Sequence, residues 1–265
     1  VGTPSSVTND DISGDVGWLT DLGSGWQFVA NLGYGFRAPN VFDLGTLGNR
    51  PGNRFNVPNP DLASERVVHG DIGVRLRRGN VDASVVAFAM RYRDRITSVL
   101  TGDTTPDGRD IVQSANVSRA DLHGLEASGR VELGDAWELS GNVSYTVGTE
   151  RVSGAGEQPA DRIPPVNGTL RIRYDASATL DWTTWIDFAE RQDRLSARDI
   201  RDSRIDPNGT PGWVAVGTQL TWLPASGWET SVSLDNLLDQ RYRTHGSGID
   251  ATGVNLSIVV KHNWD

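Results

Sequence analysis

Histidines are the residues of this sequence most able to bind a metal, and they are widely separated. They occur at His69, His123, His245 and His262. Protein metal sites favour close spacings, such as two histidines separated by three residues, and no such pair is present. The sequence has no cysteine, which excludes disulfides and thiolate ligands. We therefore predict neither a metal site nor a cofactor, and we keep His245, in the last long loop, as a possible ligand contact.

A serine close to a histidine is a second arrangement with possible chemistry, because a positioned histidine can activate a serine hydroxyl. Here the run Gly246-Ser247-Gly248 follows His245 directly. No Gly-x-Ser-x-Gly nucleophile elbow occurs, and a run of glycine and serine is typical of a flexible loop. We therefore predict that the protein is not an enzyme and has no catalytic residues.

Arginines offer a third kind of chemistry, the binding of anions, because the planar guanidinium suits carboxylate and catecholate-like oxygens. Two stretches, residues 91–95 and 198–204, interleave arginine with aspartate. Mutual ion pairing is the first expectation for such stretches. Arg50 and Arg54 lie between residues 40 and 58, and we predict that they are possible ligand contacts.

Charge and hydropathy exclude two classes of protein. The 265 residues carry a formal net charge of -9, so no basic surplus is available to bind nucleic acid. Hydrophobic residues make up 37% of the chain. No apolar run approaches the roughly 20 residues of a membrane-spanning helix. A membrane β-barrel is not excluded, because its strands are apolar only at every second position.

Alternation of apolar and polar residues runs through most of the chain. From Trp26 to Phe36, and again from Trp137 to Val147, every second residue is mostly apolar or aromatic. Such alternation predicts strands with one apolar and one polar face. We count about eleven strands, near Asp10–Leu22, Trp26–Arg37, Glu65–Arg78, Val81–Thr97, Ile111–Leu133, Trp137–Thr149, Pro165–Asp175, Ala178–Gln192, Gly212–Leu223, Trp228–Tyr242 and Val254–Trp264.

The predicted connections alternate between short and long. The short turns are Gly23–Gly25, Gly79–Asn80, Gly134–Ala136, Ala176–Ser177 and Pro224–Gly227. The long loops are Ala38–Ser64, Ser98–Asp110, Glu150–Pro164, Asp193–Pro211 and Arg243–Gly253. Short turns at one rim and long loops at the other are typical of an outer-membrane barrel. We predict an all-β, antiparallel transmembrane β-barrel. A soluble all-β binding domain, with the apolar face in a shared core, is the alternative.

Two motifs beside the first long loop carry a family resemblance. The first box is Phe36-Arg37-Ala38-Pro39, and the second box is Asn59-Pro60-Asp61-Leu62. They resemble the FRAP and NPDL boxes of TonB-dependent receptors. The stretch Asp235–Tyr242, followed by residues 245–248, resembles the penultimate strand and last loop of the same family. The resemblance covers nearly the whole chain.

The two boxes have a physical interpretation as brackets of the first long loop. Pro39 removes a backbone donor, so strand pairing must stop there. Asn59 and Asp61 are expected to cap a turn on the return. Arg37 lies on the polar face of its strand and is expected to pair with Asp61 or Glu65. We expect both boxes to anchor the loop rather than to contact ligand.

The resemblance also implies an organisation. Residues 1–265 are expected to form part of the barrel domain of such a receptor, with no plug domain. They would supply the C-terminal half of a barrel of about 22 strands. The first strand and Val254–Trp264 would then leave open sheet edges, which lipid does not tolerate. We therefore expect that the chain does not fold alone.

The function implied by the resemblance is active uptake of a scarce nutrient across the outer membrane of a Gram-negative bacterium. A ferric siderophore or haem is the first expectation. TonB and the inner-membrane energy complex would act through the plug, and outer-membrane lipid would surround the barrel. No histidine lies between the boxes, where the haem-transporting branch has an iron ligand, so haem coordination at that loop is in doubt. A passive porin or an adhesin-type barrel is the alternative within the membrane.

Overall fold

A computed structural model describes residues 8, 10–152 and 156–264, and its strands form one 14-stranded sheet. The elements in chain order are β1 (Gly14–Gly23), β2 (Trp26–Arg37), α1 (Val41–Gly45), β3 (Gly48–Arg50), β4 (Arg54–Val57), β5 (Glu65–Arg78), β6 (Val81–Thr104), β7 (Asp110–Leu133), β8 (Trp137–Val152), β9 (Gly156–Pro159), β10 (Asn167–Ser177), β11 (Leu180–Ala189), α2 (Ala197–Arg201), β12 (Trp213–Trp222), β13 (Trp228–Asp235) and β14 (Asn255–His262). The predicted domain, residues 1–265, therefore includes residues such as Val1 and Asp265 that lie outside the described part of the chain.

Eleven strands follow one another across the sheet in chain order, as the sequence predicts. Their order is β1-β2-β5-β6-β7-β8-β10-β11-β12-β13-β14. All neighbours on this path pair antiparallel, and the bounds of β2 and β5 coincide with those expected. The short strands β3, β4 and β9 lie beside the path, and β4 pairs with β7 in parallel. The path ends at β1 and β14, each of which has one neighbour among the described strands.

The prediction of a long loop at Ser98–Asp110 is wrong, because most of these residues belong to strands. β6 continues to Thr104, and Leu100 pairs with Val112 on β7. The backbone N–H of Thr105 donates to the carbonyl oxygen of Arg109 at 2.8 Å and closes the turn. Main-chain hydrogen bonds continue the ladder here without an alternating side-chain pattern, which is why the sequence pattern stopped too early.

Other predicted bounds are corrected in the same way. The strand expected over Trp228–Tyr242 ends at Asp235, because Asn236 has the left-handed φ of 51°. The first long segment contains α1, β3 and β4, and the segment at 193–211 contains α2. No helix in the described part of the chain is long and apolar enough to cross a membrane.

The sheet has one apolar face and one polar face. Cross-strand pairing joins Ile72, Ala87, Leu125 and Tyr145 into one row of the apolar face. Ile72 is 58% exposed and Leu125 is 51% exposed, although both are apolar. The opposite face carries polar contacts such as Ser84–Ser128 at 2.9 Å between hydroxyl oxygens. Strands that divide a hydrocarbon layer from an aqueous lumen have this arrangement.

The buried apolar residues of the described chain lie at the long-loop end of the sheet. They are Leu62, Val112, Ala120, Ala160, Ile205 and Ala215. A soluble β-domain would bury its apolar sheet face in a shared core. Here that face is exposed, and what is buried instead packs under the long segments. This disfavours the soluble alternative. It also shows that the tightly packed side chains lie at the long-loop end of the sheet.

One residue of β6 changes which face its neighbours occupy. Asp94 has the left-handed φ of 54°. Before it, Arg93 lines an outward groove together with Arg66 and Arg119. After it, Arg95 Nη1 contacts Glu150 Oε2 at 3.0 Å on the polar face. Two arginines separated by one residue therefore point to opposite sides of the sheet.

Candidate ligand-binding site at the long-loop rim

The first box ends β2 and starts α1. Pro39 is buried and Ala38 is exposed immediately after the strand. The Asn40 side chain accepts hydrogen bonds from the backbone of Phe42 at 2.8 Å and of Asp43 at 3.0 Å. Asp43 Oδ2 accepts from the Asn40 backbone in return, at 3.1 Å. This capping box explains why a helix begins directly after a strand.

Arg37, in the first box, joins the end of β2 to α1 and β5. Its Nε lies 2.6 Å from Glu65 Oε2, and its Nη1 lies 2.7 Å from Asp43 Oδ2. Of the two carboxylates expected to pair with Arg37, Asp61 and Glu65, it is Glu65 that does so. Glu65 Oε1 also accepts from the Ile96 backbone at 2.5 Å. The ends of three segments, β2, α1 and β5, are thereby tied to β6.

The second box is held against β7. Asn59 Nδ2 donates to the Ser114 carbonyl at 2.8 Å, and Asn59 Oδ1 accepts from the Asp61 backbone at 3.1 Å. Leu62 is 5% exposed, whereas Pro60 and Asp61 are exposed. Asn116 binds both backbone groups of Ala63 at 2.9 Å. The box residues thus make mainly backbone contacts that fix the path of the chain.

The hairpin of β3 and β4 carries the two arginines that the sequence singled out. Arg50 and Arg54 are paired in register. Arg50 Nη1 donates to Asn56 Oδ1 at 3.1 Å and to Ser98 Oγ at 3.4 Å. Arg54 is half-buried and has no recorded ion pair within the described residues. Asn56, at 2% exposure, holds the hairpin by donating to the Thr46 carbonyl at 2.8 Å.

Arg54 opens onto a cavity of about 360 Å³ between this hairpin, the long ends of β6 to β9 and α2. The lining also includes Arg198 and Arg201 of α2. Two carboxylates complete it, Glu150 at 4% exposure and Asp161 at 8%. The cavity therefore presents three guanidinium groups and two buried carboxylates. We use the name arginine cavity for this site.

Ion pairs leave two of these three arginines free to bind an anion. Asp161 Oδ2 accepts from Arg198 Nη1 at 2.8 Å, and Glu150 pairs with Arg95 at 3.0 Å. Arg201 Nε donates to the Ala197 carbonyl at 2.9 Å and has no carboxylate partner in the described ranges. Arg201 and Arg54 are thus cations whose charge the described chain does not neutralise.

A second cluster, centred on Arg162, ties three long segments together. Arg162 contacts Asp202 and lies 3.4 Å from Asp199 Oδ1, and its Nη1 donates to the Gly246 carbonyl at 3.4 Å. Hydrogen bonding from Arg204 and the charge of Arg162 hold the pKa of Asp202 well below its usual range. Asp202 is therefore an anion at any physiological pH and fixes both arginines.

His245 lies inside this loop cluster and does not reach the arginine cavity's lining. Its Nδ1 shares a hydrogen bond of 2.9 Å with Thr210 Oγ1, and its Nε2 is buried without a partner among the described residues. Burial lowers the pKa of His245, Arg162 lowers it further, and Asp199 opposes this. The neutral form of the imidazole is therefore favoured.

The sequence located part of this site. The interleaved stretch at 198–204 contains α2, although Arg198 pairs with Asp161 rather than with its own neighbours. The stretch at 91–95 likewise pairs across strands, through Arg91–Asp121 at 2.7 Å. Glu150, Asp161 and Arg162 were missed. Their partners lie far away in sequence, and a buried carboxylate opposite an arginine has no local signal.

Comparison with known families decides the assignment. Residues 2–237 match the family model described as "TonB dependent receptor-like, beta-barrel". The chain belongs to this family. The expected family, the antiparallel barrel fold and the location in the Gram-negative outer membrane are thereby confirmed.

Individual relatives cover nearly the whole chain. The ferric enterobactin receptor PirA of Pseudomonas aeruginosa is 26% identical over 256 residues, which is 87% of this chain and 33% of that protein. The ferrienterobactin receptor of Escherichia coli K12 is 24% identical, covering 83% of this chain and 31% of that protein. The solved structure of the copper transporter OprC superposes with a TM-score of 0.78 at 18% identity, over 94% of this chain and 39% of OprC. The chain spans about a third of the length of these curated relatives.

Proposed function

We propose that this chain forms part of the barrel of an outer-membrane receptor that takes up an anionic ferric siderophore. The observation that carries the proposal is the arginine cavity, in which Arg54 and Arg201 have no carboxylate partner among the described residues. Charge-assisted hydrogen bonds from guanidinium to carboxylate or catecholate oxygen are short and strong. The names of two relatives, both receptors for ferric enterobactin, support the same ligand class.

The surrounding carboxylates give the cavity its fixed shape. Arg198 is immobilised by Asp161 at 2.8 Å, and Arg95 by Glu150 at 3.0 Å. Side chains that are already fixed in ion pairs lose little further freedom when ligand arrives. Arg54 and Arg201 then make the direct contacts. Arg50, on the same hairpin as Arg54, contributes a further positive charge at the entrance.

The two boxes serve the site indirectly in this proposal. Phe36 to Pro39 and Asn59 to Leu62 bracket the segment that carries Arg50 and Arg54. Arg37 is linked to β6 through Glu65, and Asn59 binds β7, so the two ends of this segment are fixed to the sheet. His245 acts as a loop anchor and not as an iron ligand, because its Nδ1 bonds Thr210 and its ring lies outside the lining of the arginine cavity.

Energised transport is the remaining part of the proposal. In this family TonB and the inner-membrane energy complex act through a plug inside the barrel, and the polar sheet face would line the ligand's route. Uptake through a passive porin does not depend on the proton gradient, whereas uptake through the proposed receptor does. Uptake of labelled ferric siderophore by cells should therefore stop when an uncoupler collapses the proton gradient. Uptake that continues unchanged would favour the porin.

The arginine cavity is tested by ligand binding to the full product of the gene that encodes this chain. Arg54→Ala and Arg201→Ala should each weaken binding of a ferric tris-catecholate by about tenfold, and the double variant by about 100-fold. Arg109→Ala is the matched control, since Arg109 lies on the β6–β7 turn, paired with Asp107 at 2.7 Å. Isothermal titration in detergent measures the affinities. Wild-type affinity in the double variant would remove the arginine cavity from the proposal.

A further inference from the structure

Four arginines stand directly opposite one another on four adjacent strands. Cross-strand pairing joins Arg66 to Arg93, Arg93 to Arg119, and Arg119 to Arg151, on β5, β6, β7 and β8. We call this set the arginine row. With about 4.8 Å between neighbouring strands, the row is about 14 Å long. Like charges directly opposite in a sheet are destabilising, so a row of four requires compensation.

The arginine row belongs to the apolar face of the sheet. Alternate residues along β5 carry this face from Ile72 through Gly70 and Val68 to Arg66. Along β7 it passes from Leu125 through His123 and Asp121 to Arg119. The arginines thus stand at the long-loop side of the apolar belt, facing away from the lumen. This is the level at which lipid headgroups meet the barrel.

Carboxylates compensate the row only in part. Arg66 pairs with Asp11 at 2.8 Å, Asp121 lies between Arg91 and Arg119, and Arg151 lies 3.3 Å from Glu157. Asp94 lies 3.9 Å from Arg66. With Arg91 included, five arginines face four carboxylates. Arg93, inside the row, is exposed and has no recorded partner in the described part of the chain.

The surface between these side chains is a groove rather than a flat wall. Its volume is about 940 Å³, and Arg66, Arg91, Arg93 and Arg119 line one end of it. Val68 and Ala89 line the other end, toward the apolar belt. A groove that is basic at the headgroup level and apolar below matches a molecule with an anionic head and acyl chains.

We propose that the arginine row binds the phosphate groups of a phosphorylated lipid in the outer leaflet. Each phosphate oxygen accepts from the guanidinium groups of neighbouring strands, with Arg93 as the contact that no carboxylate satisfies. The acyl chains lie along Val68, Ile72 and Leu125. The lipid supplies the negative charge that the opposed arginines lack, and it does so on the face opposite the proposed siderophore site.

The first test needs no variant. The full gene product, purified in detergent, is incubated with a bis-phosphorylated glucosamine lipid or with the same lipid after its phosphates have been removed. Native mass spectrometry should detect the bound phosphorylated lipid at an occupancy at least about tenfold above that of the dephosphorylated lipid. Equal occupancy would overturn the proposal. Complete competition by millimolar inorganic phosphate would also overturn it, since it would assign the groove to a free anion.

The second test uses the arginines themselves. Arg93→Ala and Arg119→Ala should each lower lipid occupancy by about tenfold. Arg130→Ala is the control: it lies on β7 at the short-turn end of the polar face, 3.7 Å from Glu138. Ferric siderophore binding is measured on the same samples and should be unchanged in every variant, which also shows that the barrel is folded. Lipid occupancy at the wild-type level in Arg93→Ala and Arg119→Ala would contradict the arginine row as the lipid site.

Discussion

Single side chains at the long-loop rim hold segments that the sheet does not. Arg162 reaches Asp199, Asp202 and the Gly246 carbonyl, and so joins three connections with one guanidinium. His245 adds a neutral contact to Thr210 inside the same cluster. Because these groups are partly buried and charged, their protonation is coupled to whether the loops are docked.

The lowered pKa of His245 gives the loop cluster a pH dependence. A free imidazole has an ordinary pKa of 6.5, so below that value the undocked loop binds a proton that the docked loop excludes. Docking is therefore fully stable above about pH 6.5 and is weakened as pH falls further. Amide exchange of residues 199–210 and 243–250, corrected for intrinsic rates, should show less protection at pH 5.5 than at pH 7.5.

Substitution of the histidine tests the cause. His245→Gln should remove most of this pH dependence, whereas His123→Gln, at an exposed position of β7, should leave it in place. If protection in the wild-type protein is equal at both pH values, His245 does not control docking of the loops.

At the scale of elements, the second box is held by one asparagine of β7. Asn116 Oδ1 accepts from the Ala63 backbone at 2.9 Å, and its Nδ2 donates to the carbonyls of Ala63 at 2.9 Å and Asp94 at 2.5 Å. It therefore satisfies backbone groups of two other segments, which would lose their partners together.

Asn116→Ala should destabilise this junction by about 1 kcal/mol, because hydrogen bonds to exposed and half-buried backbone groups of two other segments are lost. Thermal unfolding of the full gene product and amide exchange of residues 54–65 measure the effect. Asn49→Ala is the control, since Asn49 is exposed on β3 and has no recorded side-chain hydrogen bond in the described ranges. Equal protection in the two variants would show that Asn116 is not the clamp.

The eleven main strands were predictable because one face of each strand contacts hydrocarbon and the other contacts water, which fixes the polarity of successive side chains. A residue facing hydrocarbon is apolar and its neighbour facing water is polar, and this alternation is written in the sequence. Strand ends were less predictable, as β6 shows, since backbone pairing continues to Thr104 without that pattern. The boxes were found by resemblance, and Arg37 was expected to pair with Asp61 or Glu65, of which Glu65 is the partner. Glu150 and Arg162 could not be found, because only the fold brings their partners near.

At the scale of the whole molecule, the two edges of the sheet decide whether it can insert stably in a membrane. Among the described strands β1 pairs with β2 alone and β14 with β13 alone. Their outer backbone groups need partners in lipid, where each unpaired group costs several kcal/mol. We therefore predict that stable insertion requires further strands at both edges.

Heat-modifiable migration on SDS gels tests this requirement. The full gene product should run as a compact band when unboiled and shift on boiling. Residues 1–265 expressed alone should show no compact band and should aggregate in the same detergent. A heat-modifiable band from residues 1–265 alone would contradict the requirement for added strands. Absence of the shift in both samples would contradict a closed membrane barrel.

The left-handed conformation of Asp94 has a consequence for how related barrels are compared. Arg93 lies on the apolar face and Arg95 on the polar face because Asp94, between them, has a φ of 54°. The backbone conformation of Asp94, and not the number of arginines, therefore decides which face of the sheet each positive charge occupies. Two homologues with the same arginines can differ in which surface is electropositive if one has a β-branched residue at this position, since such residues disfavour positive φ. Alignments that count basic residues along this strand would not detect the difference.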